Sequence, residues 1–176
     1  MIASVKKKVA APTKATKAAK SAKVTKTPAI RQAPVFVLIG PNLNMLGVRE
    51  PAIYGVTTLD DIEGMMQDTA KNLGHTIDFR QSNIEGDLVT WVQEAMNGAC
   101  GVIINAGAYS HTSIAIHDAL RLLSIPIIEV HGTNIHAREP FRHHSYIAPV
   151  ADAVICGAGA HGYMLALQHL AYILKN

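Results

Sequence analysis

The chain has 176 residues, 49% apolar, 16% charged and 5% aromatic, with a mean hydropathy of +0.17. That suffices for one α/β domain with a real core, and it excludes a mostly disordered, fibrous or aromatic-rich chain. The formal net charge of +3 hides a split: residues 1–31 hold nine of the 16 basic residues and no acid, so the remainder carries seven basic and all 13 acidic residues, a formal −6.

Residues 1–33 form a Lys/Ala-rich extension with too few large apolar side chains to offset its ordering entropy, so disorder is expected there. It is read as a solvated extension without a catalytic role. A nucleic-acid partner is unlikely, because the body is acidic and a tail-only attraction would be screened by salt. The catalytic-domain candidate is 34–176, where short aliphatic runs alternate with helix-like segments. Strands are predicted at 35–39, 75–81, 101–105, 126–130 and 152–156, and helices at roughly 58–73, 87–97, 113–123 and 160–173. Thr57-Thr58 before Leu59-Asp60-Asp61 reads as a cap with acids in the first turn, and Gly74 as the stop. The economical architecture is a flavodoxin-like three-layer α/β/α sandwich with a five-stranded parallel sheet. No stretch approaches the ~18 apolar residues of a membrane span. Cys100 and Cys156 have no CxxC spacing, so a reducing cytoplasm is the expected location.

Chemistry should lie beyond the carboxyl ends of the strands. The first strand runs into GPNLNMLGVREPAIYG (40–55), longer than an ordinary strand-to-helix loop and carrying Asn42, Arg49 and Tyr54; a lid or binding loop is expected. The third ends in NAGAYSHTS (105–113), with Asn105, Gly107 and His111; Ser110 or Thr112 is expected to cap the following helix, whose N-terminus would attract anions. The fourth ends in EVHGTNIHAREPFRHHS (129–145), with Glu129, His131 and two arginines, Arg138 and Arg142, spaced to share a helical turn. Three polar rims at one sheet edge suit a small, oxygen-rich anion. Two other motifs carry less. GAGAHG (157–162) satisfies GxGxxG but has no acid some twenty residues on, so a tight turn is expected rather than a dinucleotide site. His136, His143 and His144 lack ligand spacing and sit beside arginines, so no metal site is expected. An FMN or nucleotide binder would use the same sheet edge and is the alternative of another class.

The blocks GPNLNMLGVREPAIYG, FRQSNIEGDLV, INAGAYSHTSIAIHDAL and IEVHGTNIHAREPFRHHSYIAPVADAVICGAGAHGY together resemble the type II 3-dehydroquinate dehydratases, from about Val35 to Leu174. The resemblance implies conversion of 3-dehydroquinate to 3-dehydroshikimate and water in the shikimate pathway. It also implies no metal or organic cofactor, and a homododecamer built as a tetramer of trimers. By position, Tyr54 corresponds to the base, His131 to the general acid and Arg49 to a residue assisting the transition state. Asn42 corresponds to the residue that helps hold the enolate, and Glu129 to a carboxylate orienting the acid. Substrate contacts fall on Asn105, Gly107, His111, Asp118, Gly132, Thr133, Arg138 and Arg142, with Asp118 acting from a neighbouring subunit. Gly132-Thr133 departs from the aliphatic-serine pair usual in the family; Thr133 keeps the hydroxyl while Gly132 is expected to loosen the strand end.

Overall fold

A computed structural model describes residues 32–47 and 56–176 of the chain. Nearly all of the N-terminal extension, together with Arg49 and Tyr54, therefore lies outside the described residues. Five strands form where the aliphatic runs fall: β1 (Val35–Ile39), β2 (Ile77–Gln81), β3 (Gly101–Asn105), β4 (Ile127–His131) and β5 (Ala153–Cys156). β1, β3 and β4 are buried at every residue, which explains their unbroken apolar sequences: both faces of the sheet are covered. All pairings are parallel in the order β2-β1-β3-β4-β5, the flavodoxin-like arrangement.

Successive side chains of each strand serve opposite layers. Val35, Val37 and Ile39 pack with α1 (Leu59–Leu73) and α4 (His161–Lys175), through Ile62, Met66, Leu167 and Leu170. Phe36 and Leu38 pack on the other side with α2 (Glu85–Gly98) and α3 (Ile114–Leu120), through Leu88, Val92, Ile116 and Leu120. Among the described residues, no helix is long and apolar enough to cross a membrane.

Helix boundaries follow local hydrogen bonding. Thr58 and Asp61 form a reciprocal capping box at the start of α1, and Gly74 closes it with φ 79°. α2 begins earlier than its sequence pattern suggests, because Ser82 Oγ accepts the Ile84 N–H and donates to Asp87. α3 has seven residues rather than the eleven expected, and its cap is Ser113, whose Oγ accepts the Ile116 N–H at 2.9 Å, not Ser110 or Thr112. Its end tightens early: the Leu122 and Leu123 N–H groups bond three residues back, turning the chain toward Pro126 and β4. GAGAHG is a tight turn, as expected, with Gly157 at φ 83° and Gly159 at φ 59°.

The exits of β1 and β3 touch before they diverge. The Gly40 N–H donates to the Asn105 carbonyl at 2.8 Å, and a Cβ on Gly40 would lie 2.4 Å from the Ala106 carbonyl oxygen. Both neighbours are backbone, so the strand ends themselves would have to separate. Gly40→Ala is expected to destabilise the fold by about 1–3 kcal/mol, read by denaturant unfolding; unchanged stability would show that the two exits have slack.

Candidate active site

A cleft opens over the carboxyl ends of β1, β3 and β4, where strand order reverses and parallel α/β sheets collect ligands. Nine of the residues singled out in the sequence line it: Asn42, Asn105, Gly107, His111, His131, Gly132, Thr133, Arg138 and Arg142. Glu129 stands behind His131. Asp118 is exposed on α3 and does not line the cleft. Arg49 and Tyr54 lie outside the described residues.

Glu129 and His131 are two apart on β4, so their side chains share a face. Glu129 is fully buried and its Oε1 accepts from His131 Nε2 at 2.8 Å. The same oxygen accepts from the hydroxyl of Ser145 at 2.6 Å, while Oε2 has no hydrogen-bond partner among the described residues. With Nε2 held by a carboxylate, Nδ1 is the nitrogen of His131 left for a ligand. Sequence reasoning missed Ser145, since a lone serine sixteen residues downstream has no periodic signal.

At the β3 exit, Asn105 Oδ1 accepts the Gly107 N–H at 3.1 Å, which fixes the amide orientation. Its Nδ2 therefore faces, and donates to, the Tyr163 hydroxyl at 2.7 Å. Tyr163 also lines the cleft, so its own proton is available to an oxygen there. Burial pushes its phenol up to about 12, only partly opposed by the Asn105 bond, so Tyr163 is a neutral donor and not a base. It too was not singled out from sequence. The segment after Asn105 is a 3-10 turn (Gly107–His111), and α3 begins at Ile114, one residue after the start its sequence pattern suggests.

His111 projects from that turn with its ring nearly parallel to His131, the centroids 6.0 Å apart. Its Nδ1 lies 2.7 Å from the His144 carbonyl; a carbonyl can only accept, so Nδ1 carries the proton. Burial pushes this ring below the ordinary histidine range, with His131 and Arg142 adding to the effect; the His144 bond and Glu129 oppose it.

Asn42, at the β1 exit, has φ 65°, a left-handed conformation that asparagine tolerates better than most residues. Its N–H donates to Asn83 Oδ1 at 2.8 Å, and the Asn83 carbonyl accepts from the Tyr109 hydroxyl. Arg138 and Arg142 both reach the cleft, but not from one helical turn as their spacing suggests. Pro140 forces Glu139 into an extended conformation and splits the segment into two 3-10 turns. Glu139 sits between them, its Oε2 2.8 Å from Arg142 Nε and 3.6 Å from Arg138 Nε. Gly132 does not leave the strand end loose: its carbonyl accepts the Gly159 N–H at 2.8 Å, and the Gly157 N–H donates to the His131 carbonyl. A Cβ at Gly132 would meet nothing closer than 3.9 Å. Among the described residues, no three His, Cys, Asp or Glu side chains are grouped to hold a metal ion.

The family model described as dehydroquinase class II matches residues 33–171. The chain is 62% identical over 142 residues to a 3-dehydroquinate dehydratase of Brucella canis, covering 81% of this chain and 90% of that one. Among solved structures it is similar to the type II dehydroquinase of Propionibacterium acnes, with TM-score 0.77, 45% identity, and 80% and 97% of the two chains covered. The type II dehydroquinase of Butyrivibrio crossotus gives TM-score 0.77 and 42% identity, covering 79% and 97%.

Two outcomes test the site geometry. The His111 ring should titrate below its ordinary 6.5 and show the Nδ1–H tautomer in long-range proton–nitrogen spectra. Since the folded ring resists protonation, its contribution to stability is intact above pH 6.5 and is lost as pH falls through the lowered value. A midpoint at or above 6.5 would contradict the burial seen here. Tyr163→Phe leaves Asn105 Nδ2 without its acceptor in a buried position and should cost about 1–3 kcal/mol of stability along with weaker carboxylate-inhibitor binding; calorimetry that finds neither effect would remove Tyr163 from the site.

Proposed function

The chain belongs to the dehydroquinase class II family and dehydrates 3-dehydroquinate in the shikimate pathway, and we propose that it does so through an enolate, with Tyr54 as base and His131 as acid. Removing a proton beside a ketone and expelling a β-hydroxyl as water calls for a base, a group that holds the enolate charge, and an acid for the leaving oxygen. The observation that carries the acid assignment is the bond from His131 Nε2 to the buried carboxylate of Glu129, on a histidine that lines the cleft. Glu129 fixes the ring through Nε2, so the proton given to the departing hydroxyl leaves from Nδ1.

The base is the harder requirement, because a tyrosine is almost entirely protonated at neutral pH. Tyr163 shows what burial alone does to a phenol in this cleft: it raises it to about 12. A phenolate base needs a cation beside it, and Tyr54 has Arg49 five residues away in the same loop. Asn42 can donate to the developing enolate oxygen, directly or through a water; a preorganised donor of this kind contributes on the order of 3 kcal/mol in comparable sites. Arg142 and Arg138 anchor the substrate carboxylate, with Thr133, Asn105, His111 and the Gly107 and Gly132 backbone around the ring hydroxyls.

A homododecamer of four trimers follows from the family resemblance, and the position of Asp118 supports a shared site. It is exposed on α3 and outside its own cleft, so a substrate contact from it has to be made in a neighbouring copy. A cytoplasmic location is supported by the two free cysteines, Cys100 and Cys156.

The purified protein should form the conjugated enone from 3-dehydroquinate, followed by ultraviolet absorbance, with no loss of rate in chelator or borohydride. Tyr54→Phe should lower turnover at least about a hundredfold while preserving the fold and inhibitor binding. Near-normal turnover in that variant would take the base role away from Tyr54.

A further inference from the structure

Ser145 makes three hydrogen bonds that leave its hydroxyl one orientation. Its Oγ accepts the Ile147 N–H at 3.0 Å and the Ala148 N–H at 3.2 Å, so its single proton goes to Glu129 Oε1 at 2.6 Å. The segment that carries it is fastened to the β3 exit. His111 Nδ1 donates to the His144 carbonyl, the Tyr146 N–H donates to the Ser110 carbonyl, and His117 Nδ1 donates to the Tyr146 carbonyl. Glu129 in turn is fully buried with one oxygen unpartnered, so Ser145 and His131 supply both hydrogen bonds to its side chain among the described residues.

We propose that Ser145 is a positioning residue for the general acid: by donating to Glu129 Oε1 it holds that buried carboxylate aimed at His131 Nε2, and so fixes the orientation of the ring that delivers the proton. A buried carboxylate that accepts two donors on one oxygen has its charge concentrated where the imidazole needs it. Without the serine, His131 is the remaining donor to that side chain among the described residues, and the carboxylate is no longer held in one orientation.

The inference rests on the assignment of His131 as acid, and the test separates the two. Ser145→Ala should lower kcat about ten- to a hundredfold with little change in KM, the range expected for a hydrogen bond to a buried charge. Ser145→Thr, which keeps the hydroxyl, should restore kcat. In a Glu129→Gln background the serine substitution should have little further effect. Should Ser145→Ala fail to fold, Ser145→Cys, of similar volume but a weak donor, takes its place in each comparison. Reduced thermal stability with kcat unchanged, or an equal loss in the presence and absence of Glu129, would overturn the role of Ser145. Full turnover in Glu129→Gln alone would instead overturn the acid assignment beneath it.

Discussion

A carboxylate with no exposure to solvent sits in the middle of a parallel sheet, and much of the cleft is arranged around that fact. Burying a charge in an aliphatic layer is costly unless it is paired and hydrogen-bonded. Glu129 meets that requirement locally through His131 and distantly through Ser145. The distant partner ties the long excursion after β4 to the strand it left. The turn after β3, through His111, and α3, through His117, then fasten the same excursion from the other side. Satisfying one carboxylate thus fixes His131, Glu129 itself and the loop bearing Arg138 and Arg142.

Tyr163 and the proposed base Tyr54 show why one side-chain type needs different surroundings for different roles. Tyr163 is enclosed by the layer of α4 and remains a neutral donor, oriented by an amide that a backbone N–H has already turned. A phenol that serves as base requires the opposite setting, close to guanidinium and not simply away from water. The sequence offers that pairing within one stretch, Arg49 to Tyr54.

The layers were legible from the chain because buried parallel strands leave unbroken aliphatic runs, such as VFVLI and GVIIN, and because Thr58 and Gly74 punctuate α1 in the usual way. The rim was legible because its residues immediately follow those runs. What escaped were hydroxyls and amides whose partners lie far along the sequence: Ser145 on Glu129, Tyr163 on Asn105, Asn83 on Asn42. Serine, tyrosine and asparagine recur throughout the chain without period, so only the folded geometry selects one from another. The arginine pair failed differently. Spacing of four suggests a helical turn, but the proline between them outweighs it, and Glu139 brings the guanidinium groups together instead.

The turn at Gly157–Gly159 binds the carbonyls of His131 and Gly132, and α4, which follows it, provides Tyr163 and half of one helical layer. These parts follow every strand in the chain. Until they emerge, a nascent chain has all five strands but only α1 on one face of its sheet, and the carbonyls of His131 and Gly132 lack the N–H groups that bond them. The second half of that helical layer and the fastening of the strand end therefore arrive together, after the sheet is complete.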